Sequence, residues 1–126
     1  MQVVHLDTNI LMGVTDPTST IRIDLQHWLS QGVQIGVSAM AWSEFRCGPA
    51  SPELIEAWQR LLDNRILPVN QTLAELAAQL FNQTGRRSRS LPDCLIAATA
   101  IDAGAQLATM NRNDFEPFTK FGLVLL

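Results

Sequence analysis

The chain of 126 residues is 47% hydrophobic and 17% charged, with a formal net charge of −3. At ~100–200 residues per domain this is one domain, read as 1–126, and its apolar content excludes intrinsic disorder. The mild acidity argues against a broad electrostatic footprint for nucleic acid, and the longest apolar run, 94–101, is far short of the ~20 residues that span a membrane.

Short β-rich runs alternate with longer helical patterns. Residues 2–6 read as a strand ending at Asp7. Over 18–30, Ile21, Leu25, Trp28 and Leu29 recur at helical spacing, with Gly32 as the stop. Residues 33–37 form a second strand, and Ser38 caps a helix to about Cys47, which Gly48-Pro49 ends. Ser51-Pro52 opens a helix with Leu54, Ile55, Trp58, Leu61 and Leu62 on one stripe. Residues 66–69 are a third strand, and 72–82 a helix halted by Gly85. Ser90-Leu91-Pro92-Asp93 starts a strongly apolar helix to Asp102, with Gly104 as its stop. Residues 106–109 and 122–125 supply the last two strands. This alternation predicts an α/β layer fold on a mostly parallel sheet, whose ligands bind at the carboxyl ends of the strands.

Four acids stand at or near that edge. Each has an ordinary role on its own: Asp7 as a helix cap, Glu44 as a solvated helix glutamate, Asp93 as a helix-start acid and Asp114 as a loop or capping acid. Together they point elsewhere. Carboxylates within about 4–5 Å repel by roughly 3–4 kcal/mol per pair at an effective dielectric of ~20. Raised pKa values or a bound cation offset that repulsion. An oxygen-only donor set suits Mg²⁺ or Mn²⁺, the ions of in-line phosphodiester displacement.

The surrounding residues extend the pattern. Asp7 stands in Leu6-Asp7-Thr8-Asn9-Ile10-Leu11, and Glu44 in Ser43-Glu44-Phe45 with Gly48 nearby. Asp93 precedes the Ile96-Ala97-Ala98 run, and Asp114 closes Thr109-Met110-Asn111-Arg112-Asn113-Asp114-Phe115. In these four motifs, in order from the first strand to the last, the chain resembles the PIN-domain ribonucleases. Within them it is similar to the VapC-type toxins of bacterial toxin–antitoxin pairs.

The resemblance implies a three-layer α/β fold with about five mostly parallel strands flanked by helices. It implies a Mg²⁺- or Mn²⁺-dependent endoribonuclease acting on single-stranded RNA, controlled by a cognate antitoxin and forming a homodimer. Asp7, Glu44 and Asp93 match the metal-binding acids. Asp114 matches the fourth, although some members carry that acid where Asn111 stands, and one ion or two remain open. Thr109 resembles the hydroxyl residue that orients the metal's water shell, and Asn9 a polar neighbour of the first acid.

Set aside those four acids and nine Lys plus Arg face eight acids, a balance of +1. The acidity is thus partly the site itself. Arg86, Arg87 and Arg89 form the only dense basic stretch, just ahead of Asp93. They and Arg112 are candidates for contacts to RNA phosphates. Cys47 and Cys94 make no disulfide framework, and the N-terminus lacks a basic n-region, so a cytoplasmic protein is expected. His5 and His27 are not spaced with them for zinc. Trp28, Trp42 and Trp58 read as core residues, with one or two half-exposed toward a partner.

The alternatives are a solitary PIN-domain nuclease of RNA processing, a catalytically silent PIN-like module, and a Mg²⁺-dependent phospho-acceptor or phosphatase domain. A phospho-acceptor domain wants clustered acids after the first strand and a lysine near the last. Here Asp7 is alone there, and the sole lysine, Lys120, follows Asp114. A haloacid-dehalogenase-like phosphatase wants an acid where Asn9 stands.

Overall fold

The structure is a computed structural model that describes residues 2–85 and 91–126. Its five strands are β1 (Val3–Leu6), β2 (Gln34–Ser38), β3 (Ile66–Leu67), β4 (Gln106–Ala108) and β5 (Val124–Leu125). They form one sheet in the order β3-β2-β1-β4-β5. All four pairings are parallel; His5 faces Gly36 on one side and Leu107 on the other. Successive residues of β1 and β2 are buried regardless of which face they point to, including Val4, His5, Leu6, Ile35 and Val37. A parallel sheet reads this way because helices cover both faces. The alternation of short strands and longer helices foretold this architecture.

The helices are α1 (Thr8–Gly13), α2 (Ile21–Ser30), α3 (Ala39–Cys47), α4 (Pro52–Leu62), α5 (Gln71–Gln83), α6 (Leu91–Ala103) and α7 (Arg112–Phe115). Local chemistry starts and stops them. Ser38, Ser51 and Asn70 accept at 2.9–3.1 Å from the backbone N–H groups of Ala41, Leu54 and Leu73. Gly104 takes φ +64° after α6, a left-handed turn that costs other residues more. Helix α2 starts at Ile21, the first of its apolar positions, and not at 18, because Asp16 accepts from the backbone and hydroxyl of Thr18 and builds a turn there. No described helix is long and apolar enough to cross a membrane.

Two contacts tie distant segments together. The buried Trp58 donates its indole N–H to the Leu11 carbonyl at 2.9 Å, pinning α4 to the end of α1. A Cβ on Gly36 would meet His5 Nε2 at 3.0 Å, so the missing side chain makes room for a buried imidazole in the central strand. Burial pushes the His5 pKa down to about 4, which leaves it neutral. Trp28 and Trp42 are half-buried.

The segment after β4 departs from the sequence expectation of a loop. It forms α7 and then a 3₁₀ helix, Glu116–Phe121. Phe115, Phe118 and Phe121 recur every third residue, which is the 3₁₀ period and not the α period. Phe115 and Phe118 are fully buried edge-to-face, with centroids 6.0 Å apart. Burying each such ring contributes about 2–3 kcal/mol, enough to hold a segment that local propensity alone would not.

Candidate metal centre

The chain lays β2 and β3 on one side of β1, then returns to lay β4 and β5 on the other. The switch of direction lies between β1 and β4. In open parallel sheets the crevice at such a switch, beyond the carboxyl ends of the strands, is where ligands bind. Asp7 leaves β1 at that point, and its backbone N–H donates to the Ala108 carbonyl at 2.9 Å.

Asp7 is only 5% exposed, and its carboxylate is held by three donors. Oδ1 accepts from the Thr8 backbone N–H at 2.7 Å. Oδ2 accepts from Thr109 Oγ1 at 2.7 Å and from Asn9 Nδ2 at 3.3 Å. The Asp7 cap of α1 foreseen in the sequence and its place at the crevice therefore coexist. Burial pushes its pKa up and Asp114 adds to that, while the bonds from Thr109, Thr8 and Asn9 oppose it; burial prevails. Asn111 N–H donates to Thr109 Oγ1 at 2.9 Å within the segment after β4, and Met110 N–H donates to Asn9 Oδ1 at 3.3 Å, tying that segment to α1.

Glu44 comes from the middle of α3, beside the fully buried Phe45 that seats the helix. Thr8 Oγ1 donates to Glu44 Oε1 at 2.8 Å and so fixes the second acid relative to the first. Sequence reasoning passed over Thr8. Its signal was a hydroxyl directly after the strand-end acid, which shows its use only once α3 is placed.

Asp93 lies in the first turn of α6, half-buried, on a helix whose Cys94, Ile96, Ala97 and Ala98 are buried. Its pKa is pushed up to about 6, first by burial and then by the charges of Asp7, Asp114 and Glu44. The four acids therefore share one electrostatic field. Asp114 is exposed, in the first turn of α7, and the buried Phe115 after it anchors that turn. Asn111 precedes α7 without a capping bond from its side chain.

The basic candidates are placed less closely. Arg112 donates through Nη1 to the Leu126 carbonyl oxygen, so one arm of its fork is engaged. Arg86, Arg87 and Arg89 lie outside the described residues. Among the described residues, no group of three or more His, Cys, Asp or Glu side chains stands close enough together to hold an ion between them. Asp93 nonetheless feels the charges of Asp7, Asp114 and Glu44, so the acids share one electrostatic field. The donor chemistry fits a hard divalent cation: oxygen atoms only, with Asp7 and Glu44 each oriented by a hydroxyl.

A family model of the PIN domain matches residues 4–119. The chain belongs to the PIN domain family. The matched span contains all four acids together with Thr8, Asn9 and Thr109. No curated protein matches. Among solved structures, this PIN domain is similar to a chain of the DNA-bound VapBC complex of Salmonella typhimurium, at 20% identity and a TM-score of 0.75, covering 100% of this chain and 98% of that one. It is similar to a chain of VapBC2 from Rickettsia felis bound to a promoter DNA fragment, at 19% identity and 0.74, covering 99% and 98%. A chain of a toxin–antitoxin complex from Klebsiella pneumoniae shares 26% identity at 0.70, covering 89% of each.

Proposed function

We propose that this PIN domain is the toxin of a VapBC-type pair, a Mg²⁺- or Mn²⁺-dependent endoribonuclease that cuts single-stranded RNA in the cytoplasm and is inhibited by a cognate antitoxin. The observation that carries the reading is the arrangement at the switch point, where Thr109 and Thr8 hold Asp7 and Glu44 beside the strand ends, and where burial, followed by the charges of Asp7, Asp114 and Glu44, raises the pKa of Asp93 to about 6. A structural role for these acids offers no reason to gather four like charges at the ligand-binding edge of a parallel sheet. The likeness to chains of VapBC and other toxin–antitoxin complexes supports an antitoxin partner.

A bound divalent ion supplies charge neutralisation at the phosphodiester and activation of an attacking water. Asp7, Glu44, Asp93 and Asp114 would hold it. Thr109, Thr8 and Asn9 aim the Asp7 carboxylate and offset part of the cost of burying its charge, through charge-assisted bonds. Thr8 fixes the Oε1 atom of Glu44, and Asn111 steadies the Thr109 hydroxyl through its backbone N–H. With its pKa pushed up to about 6, Asp93 holds a proton below that pH and would offer a ligand carboxylate only above it, so metal affinity would rise with pH through about 6. The free arms of Arg112, with Arg86, Arg87 and Arg89, are assigned to substrate phosphates, and a homodimer is the expected assembly.

The test is cleavage of labelled single-stranded RNA with Mn²⁺, with Mg²⁺ and with EDTA. Activity should require the metal, and Asp7→Asn and Asp93→Asn should each lose at least ~10²-fold while keeping the wild-type circular dichroism spectrum. Undiminished cleavage by both variants would sink the assignment. Co-expression with the product of the adjacent gene should give a stable complex that is inactive on the same RNA. An active nuclease that binds no such product is instead a solitary PIN nuclease.

A further inference from the structure

A cleft of about 460 Å³ opens beside the acids, between α1, α2 and the end of β4. Thr109 joins the two places: it lines the cleft, and its hydroxyl lies 2.7 Å from Asp7 Oδ2. The rest of the lining is mixed, with the Ser19 and Thr20 hydroxyls among apolar and charged groups. The buried Ile21 and the exposed Met110 give apolar surface, and the half-buried Trp28 supplies the one flat aromatic face. Asp24, on the first turn of α2, gives a carboxylate whose Oδ2 is steadied by Thr20 Oγ1 at 3.1 Å. No Lys or Arg lines the cleft among the described residues.

Such a cleft repels phosphate and suits a neutral, flat ligand that carries hydrogen-bond donors. An aromatic side chain takes any base by stacking, because every base has a π-face. The carboxylate discriminates. It has lone pairs for about four donors and donates nothing when ionised. Guanine presents N1–H and an exocyclic amine side by side, whereas adenine, cytosine and uracil each set an acceptor beside their donor. Resting on the nuclease reading above, we infer that this cleft is the base-recognition subsite of the enzyme. It takes a guanine next to the cleaved phosphodiester through Trp28 and Asp24.

The test needs no cleavage. In EDTA, guanosine, adenosine, cytidine and uridine are titrated into the wild-type protein, and binding is read by NMR at the Ile21 and Met110 methyls and the Trp28 indole. Guanosine should shift these signals at a concentration at least tenfold below the other three. Asp24→Asn, an exposed substitution, should bring guanosine to their level while retaining the stacking shifts. Trp28→Phe should weaken all four together. Equal responses to the four nucleosides, a guanosine preference that survives Asp24→Asn, or shifts that track protein concentration instead of nucleoside would each overturn the inference. Metal-dependent RNA cleavage by the same preparation separates the two readings. Cleavage without nucleoside binding leaves the nuclease and removes the subsite; guanosine binding without cleavage does the reverse.

Discussion

Replacing Thr109 by Val tests the bracing of the first acid while nearly preserving side-chain shape. The change removes the 2.7 Å bond to Asp7 Oδ2 and the acceptor for the Asn111 N–H. A hydrogen bond to an ionised group contributes about 1.5–3 kcal/mol, against about 0.5–1.5 kcal/mol for a neutral pair. The cost therefore depends on the charge of Asp7. Its folded pKa already lies above its ordinary value because burial outweighs its bonds, and the Thr109 bond is the largest influence pulling it down. Without Thr109 it climbs further. A carboxyl raised on folding contributes stability below its unfolded pKa and loses it as pH rises through the folded pKa. The penalty of Thr109→Val must therefore grow with pH.

At pH 8 without metal the expected loss is about 1.5–3 kcal/mol, or roughly 5–12 °C in Tm for a chain of this size. The loss should shrink toward about 1 kcal/mol as pH falls and Asp7 takes up its proton, since a protonated Asp7 retains only a neutral bond to lose. Thr109→Ser keeps the hydroxyl and should lie close to wild type throughout. Urea melts of the three proteins in EDTA at pH 4 and pH 8 decide it. A penalty that does not change with pH, or a Ser variant as weak as Val, would refute the reasoning.

The half-exposed Asp93 carries the complementary sign. Raising a carboxyl from 3.8 to about 6 corresponds to about 3 kcal/mol at full weight, and solvent screening reduces that to about 1–2 kcal/mol. Asp93→Asn should therefore melt higher than wild type at pH 7 without metal, less the 0.3–1 kcal/mol its charge contributes at a helix start. The gain should appear between pH 4 and 6 and vanish below 3.8, which calorimetry across that range would show or disprove. For wild type, 10 mM Mg²⁺ against a Kd of ~1 mM should add about 1.4 kcal/mol at pH 8. The increment should be smaller at pH 5, where Asp93 holds its proton; equal increments at both pH values, or an undiminished one in Asp93→Asn, would remove Asp93 from the ligands. Trp58→Phe strands the Leu11 carbonyl at its 2.9 Å contact and should cost about 1–3 kcal/mol in urea melts. A loss below 0.5 kcal/mol would mean that water replaces the indole.

Much of this protein is written locally. Ser38, Ser51-Pro52, Gly32 and Gly104 bound their helices through contacts that close within one turn, so neighbouring residues suffice to predict them. The four acids were legible for a similar reason, since each sits in a short motif beside a strand end or a helix start. What the sequence could not determine was which ends meet. Thr109 reaches Asp7 across 102 positions, and Thr8 reaches Glu44 across 36, only because β1 is central with β2 on one flank and β4 on the other. That order is settled by burying both faces of the sheet at once, a condition on the whole chain that no window of residues contains. The same holds for the 3₁₀ segment, whose three-residue Phe spacing acquires meaning only against the core that receives the rings. The raised pKa of Asp93 belongs here too. It comes first from burial and then from the charges of Asp7, Asp114 and Glu44, both of which exist only once the fold has brought these segments together.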